Sequence, residues 1–173
     1  LVTTLKLGDG NGLFTGNISI IPSTYVTNFF VLDLNNDGKL DLLANESVSN
    51  TGKFMVYMGN QSSVQNYFNV QQNYFEGSKT DLFTTGDFNI DGFMDVVSTS
   101  SLGITVFLNN TNGTFTSSAK YFSVYTDAKK ITSNDYNNDG FLDLLIDYGP
   151  SFGSSNNPGG RLRLFTGNGD GTF

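Results

Sequence analysis

Apolar residues along this chain fall in short recurring runs. Leu40-Asp41-Leu42-Leu43-Ala44, Met94-Asp95-Val96-Val97 and Leu142-Asp143-Leu144-Leu145-Ile146 lack helix caps and read as buried strands. After each, a glycine opens another run: Gly52-Lys-Phe-Met-Val-Tyr-Met58, Gly103-Ile-Thr-Val-Phe-Leu108 and Gly160-Arg-Leu-Arg-Leu-Phe165. A Gly/Asn-rich turn follows, then Phe and a more polar strand. The turn occurs as Gly8-Asp-Gly-Asn-Gly-Leu-Phe14, Asn109-Asn-Thr-Asn-Gly-Thr-Phe115 and Gly167-Asn-Gly-Asp-Gly-Thr-Phe173, and more weakly at Gly59-Asn-Gln-Ser-Ser63. Each unit thus holds four short strands, which predicts an all-β fold of β-propeller blades, each of four antiparallel strands. Residues 1–20 are read as a partial blade, 27–72 and 80–122 as blades and 129–173 as an incomplete one, about three and a quarter blades in all. Closed propellers have four to eight blades, so this reading expects an excerpt of a larger propeller.

Between the first and second strands of each unit lies one aspartate-rich loop: Asp33-Leu-Asn-Asn-Asp-Gly-Lys-Leu-Asp41, Asp87-Phe-Asn-Ile-Asp-Gly-Phe-Met-Asp95 and Asp135-Tyr-Asn-Asn-Asp-Gly-Phe-Leu-Asp143. The loops start 54 and 48 residues apart. Calcium takes six to eight oxygen ligands, and a tight loop supplies them when side-chain oxygens recur at every second residue. Positions 1, 3, 5 and 9 offer such oxygens: Asp33, Asn35, Asp37 and Asp41; Asp87, Asn89, Asp91 and Asp95; Asp135, Asn137, Asp139 and Asp143. Position 7 (Lys39, Phe93, Phe141) would give its carbonyl, and Gly38, Gly92 or Gly140 at position 6 permits the turn. These are not EF-hands, whose loops end in a glutamate at position 12, because Ala44, Ser98 and Ile146 stand there. Ordinary hairpin turns would explain one Asn-Asp-Gly string but not three copies sharing four ligand positions and the glycine. Three Ca²⁺ sites are expected.

Loops and strands together resemble the FG-GAP/VCBS repeat family, the calcium-loop blades found in integrin alpha-chain propellers and in many secreted repeat proteins. The resemblance runs over essentially the whole chain. The ending Gly167-Asn-Gly-Asp-Gly-Thr-Phe173 is close to the VCBS turn, while the Phe-Gly and Gly-Ala-Pro words of FG-GAP are absent apart from an echo at Tyr148-Gly149-Pro150. What the resemblance implies is an extracellular repeat protein, secreted or at the cell surface, with a structural, adhesive or binding role. Its partners would be further blades of the same protein or neighbouring copies, with a protein or a glycan as ligand.

Composition narrows the chemistry. Fourteen of the sixteen acids are Asp, nine of them in the three loops, so the formal charge of −7 is largely loop charge and three divalent ions would bring it to −1. No basic cluster marks a nucleic-acid footprint. With no His and no Cys, the usual zinc sets, Ser-His-Asp and Cys-His machinery and disulfides are excluded. The off-motif acids Asp9, Asp81, Asp127, Asp147 and Asp170 form no convincing acid–base pair, and no catalysis is expected in this span. No run approaches the ~20 apolar residues of a membrane span.

Five N-x-S/T sequons, at Asn17, Asn45, Asn60, Asn109 and Asn112, are glycosylation candidates, although Asn and Ser/Thr are so abundant that chance yields nearly as many. Asn60, Asn109 and Asn112 fall in corresponding turns. The insertion Ser151–Gly160 reads either as a binding loop or, better by its Gly/Ser/Asn content, as a connector. The recurring Phe and Tyr residues are expected to pack between blades. Two alternatives stand beside the structural role: a subunit of a surface fibre or appendage, and an accessory binding module of a secreted enzyme.

Overall fold

The computed structural model of the chain describes residues 2–22, 25–48, 51–60, 68–75, 80–122, 128–150 and 160–173. Most of the Gly59–Ser63 turn, Asp127 and nearly all of the 151–160 insertion lie outside these residues. Among the described residues the fold is all-β, with thirteen strands in four antiparallel sheets and no helix. The first sheet pairs β1 (Val2–Gly8) with β2 (Phe14–Pro22). The second runs in chain order through β3 (Tyr25–Leu32), β4 (Asp41–Val48), β5 (Thr51–Gly59) and β6 (Phe68–Phe75). The third repeats that order with β7 (Thr80–Gly86), β8 (Asp95–Ser100), β9 (Gly103–Asn109) and β10 (Phe115–Phe122). The fourth holds β11 (Lys130–Asn134), β12 (Asp143–Pro150) and β13 (Gly160–Phe165).

The apolar runs are continuous because the third sheet is covered on both faces. Alternate residues of its strands point to opposite sides. Val96 and Phe107, with Phe83 and Phe115, pack on Leu43, Phe54, Val56 and Met58 of the second sheet. Val97, Ile104 and Val106 pack the other way, on Ile131, Leu144, Ile146 and Tyr148 of the fourth. Aromatic rings fill these seams, as the sequence predicts: Phe54 meets Phe107 at 5.0 Å and Phe115 at 5.9 Å, both edge to face. Fully burying a side chain of this size is worth about 1.5–3 kcal/mol.

First strands of successive sheets also touch one another. Asn28 of β3 donates to the Phe83 carbonyl of β7 at 3.4 Å, and the Phe30 and Phe83 rings lie 5.2 Å apart. Ser133 of β11 donates to the Thr85 carbonyl at 3.1 Å, with its hydroxyl 3.2 Å from that of Thr84. These bonds tie the first strands of the second, third and fourth sheets to one another, and Asn36 of the first loop donates to the Gly92 carbonyl of the second at 3.3 Å.

Candidate metal-binding loops

Each loop leaves the first strand of its sheet and returns as the second. The first aspartate folds the loop over itself: Asp33 accepts the amides of Asp37 (3.2 Å) and Gly38 (2.8 Å), Asp87 those of Asp91 (3.1 Å) and Gly92 (2.9 Å), and Asp135 those of Asp139 (3.1 Å) and Gly140 (2.9 Å). The position-3 side-chain oxygens of Asn35, Asn89 and Asn137 accept the same position-5 N–H, of Asp37, Asp91 and Asp139, at 3.1, 3.2 and 3.0 Å. The position-5 carboxylate accepts the position-7 N–H at 2.9 Å in all three copies. Two residues per loop take the left-handed backbone that so tight a turn requires. One is the expected glycine, Gly38, Gly92 or Gly140; the other, at position 4, is Asn36, Ile90 or Asn138. Asn tolerates that conformation, whereas a β-branched residue is strained in it.

Position 9 carries a role that spacing alone did not reveal. Asp41, Asp95 and Asp143 are each 0% exposed and begin the second strand. One carboxylate oxygen accepts the position-2 amide, from Leu34, Phe88 or Tyr136, at 2.8–2.9 Å. The other accepts an amide at or just past the end of the third strand, from Gly59, Asn109 or Gly167, at 2.7–2.8 Å. This carboxylate therefore latches the loop to a strand 14 to 24 residues away. Burial raises the pKa of Asp41, opposed by the Gly59 and Leu34 amides and assisted by Asp37 and Asp33. Asp95 is pushed up to about 6 by the same burial, opposed by the amides of Asn109 and Phe88, with Asp91 and Asp87 adding to the rise. At Asp37 the Lys39 amide, then the Lys39 ammonium at 3.1 Å, hold the carboxyl below its usual range.

The donor set suits a hard cation. Every donor is an oxygen, and a carboxylate with two N–H partners keeps further lone pairs free. Among the described residues no three acidic, His or Cys side chains are gathered closely enough to hold a metal by themselves. A cation would thus draw on the Asn oxygens of position 3 and the position-7 carbonyls as well as on carboxylates. The ion would supply charge compensation and cross-linking within the loop.

The sequon asparagines separate by burial. Asn45 is 1% and Asn109 4% exposed, so neither can carry a glycan in the folded chain, which corrects the expectation for these two. Asn109 closes β9, and its side-chain amide donates to the carbonyls of Leu34 (2.8 Å) and Met94 (3.0 Å). Asn112 is exposed in the turn, Asn60 is half-buried and Asn17 lies in β2. Two off-motif acids are turn acceptors: Asp9 binds the amides of Asn11 and Leu13, and Asp170 that of Thr172.

Comparison with known proteins agrees with this repeat geometry. Residues 87–146 match the family model of the FG-GAP-like repeat, a stretch that runs from the second loop through β8, β9, β10 and β11 to the third loop and the start of β12. The resemblance read from the sequence is therefore shown over that stretch. No curated protein matches the chain. Among solved structures, the chain is similar in fold to a lectin of Agrocybe aegerita described for its specific recognition of non-reducing terminal N-acetylglucosamine. The TM-score is 0.64 at 21% identity, over 99% of this chain and 44% of that one, so this chain spans less than half the lectin's length.

Proposed function

We propose that the chain is a calcium-stabilised, non-catalytic repeat scaffold of β-propeller blades with a structural or binding role outside the cell. The observation that supports this most is the threefold recurrence of one loop, in which oxygens at positions 1, 3 and 5 are fixed by the same amides and position 9 is buried behind them. Extracellular-type calcium sites have Kd of about 10⁻⁴–10⁻³ M, which suits a compartment rich in calcium. At free calcium ten times Kd each site would stabilise the fold by about 1.4 kcal/mol, and three by about 4. Calorimetric titration should give three sites, falling to two in Asp87→Ala, and excess chelator should lower the melting temperature. A melting curve indifferent to both calcium and chelator would sink the reading.

The fold likeness to a lectin favours a second reading, that the scaffold presents a glycan site. Saturable binding of oligosaccharides ending in non-reducing N-acetylglucosamine would support it, and a featureless glycan array would remove it.

A further inference from the structure

We propose that the first loop carries its own cation, the Lys39 ammonium, and is in consequence the weakest and least calcium-dependent of the three sites. This rests on the calcium reading above and concerns what sets one loop apart from the other two. Lys39 is the only Lys or Arg within the loops, so the first holds three carboxylates and one ammonium where the second and third hold three carboxylates alone. The rest of the design is shared. The first aspartate, the position-3 oxygen and the buried ninth aspartate accept the same amides in every copy.

The copies part at the fifth position. In all three, Oδ1 of that aspartate accepts the position-7 N–H. In the second and third loops Oδ2 accepts the side-chain amide of position 3, from Asn89 at 2.8 Å and from Asn137 at 2.7 Å. In the first loop Oδ2 of Asp37 accepts Lys39 Nζ at 3.1 Å instead, and the two side chains are 34% and 41% exposed. A charge-assisted bond is roughly twice as strong as a neutral one. Sharing Asp37 with a divalent ion therefore costs the first loop either this bond or a contact between like charges, whereas Asp91 and Asp139 give up only an amide hydrogen bond. About tenfold in affinity is the scale of one unit charge acting on a dication at a solvated surface. When calcium is scarce the same ammonium neutralises Asp37, so the first loop keeps its turn while the acids of the other two repel one another. Calcium should thus fill the second and third loops before the first.

Calorimetric titration of the whole chain with calcium chloride tests this. The parent should show two sites and a third about tenfold weaker, the gap narrowing in about 1 M potassium chloride, where exposed charges are screened. Lys39→Met keeps the position-7 carbonyl and the length of the side chain without its charge, and should bring the weak site level with the others. Lys39→Arg keeps the charge and should leave it weak. Amide exchange in excess chelator gives a second readout, because the N–H groups of Lys39, Phe93 and Phe141 each donate to a position-5 carboxylate at 2.9 Å. Position 39 should be the best protected of the three in the parent and lose that advantage in Lys39→Met. Three equal sites in the parent, a weak site that Lys39→Met leaves unchanged, or equal protection of the three amides overturns the inference while the calcium reading stands. No calcium binding in parent and variants alike overturns both.

Discussion

Gly59 closes the third strand of the second sheet and Gly167 lies two residues past that of the fourth, whereas the third sheet has Asn109 at the corresponding place. All three donate their backbone amide to a buried ninth aspartate. At the two glycines a Cβ would overlap the Leu40 or Leu142 carbonyl. In the middle copy the corresponding carbonyl, of Met94, instead accepts the Asn109 side chain, which also reaches back to Leu34 in the preceding loop. The backbone bond is thus the shared requirement. Close approach and a side-chain amide are two ways of meeting it, and only the second ties one repeat to the next. The same middle copy carries Ile90 where its neighbours carry Asn36 and Asn138, all three left-handed.

The largest effect should come from the part common to all copies. Asp95→Ala leaves two buried amides unpaired and should cost about 4 kcal/mol in urea unfolding, with Asp41→Ala and Asp143→Ala alike. The loss should persist in chelator, and if it vanishes there, position 9 acts only through the metal. Next, Gly59→Ala forces its strand off the Leu40 carbonyl and should cost about 2–3 kcal/mol. Asn109→Ala should cost about 2 kcal/mol from lost side-chain bonds, so equal losses from unlike causes would be separated by Asn109→Gly, which brings no relief. The smallest change is a gain: Ile90→Asn should stabilise by about 1 kcal/mol by relieving left-handed strain, and Asn36→Ile should cost the same. Thermal melts of the two variants read both signs.

Much of this was legible in the sequence because repetition supplies an internal check. The runs after each loop became β4, β8 and β12, and the glycine-opened runs became β5, β9 and β13. The loop aspartates were legible as oxygen donors because their alternate spacing has a geometric meaning. What spacing cannot show is which donors face the interior. Asp41, Asp95 and Asp143 looked like equals of the other loop acids, yet each spends its oxygens on amides up to 24 residues away. Asn109 was read as a turn sequon because its partners, Leu34 and Met94, are set by sheet packing and not by neighbours along the chain. The left-handed position 4 carried a signal only in hindsight: Asn in two copies of three.

Among the described residues, each strand pairs only with its neighbours in the sequence. Short closures of this kind lose little chain entropy and keep sheet formation fast for a β protein. A sheet can therefore close as soon as its own strands have left the ribosome, without waiting for a distant partner. Pulled from its ends, the chain should yield in discrete steps of one sheet each, and the step that breaks the Asn109 tie should need the greatest force.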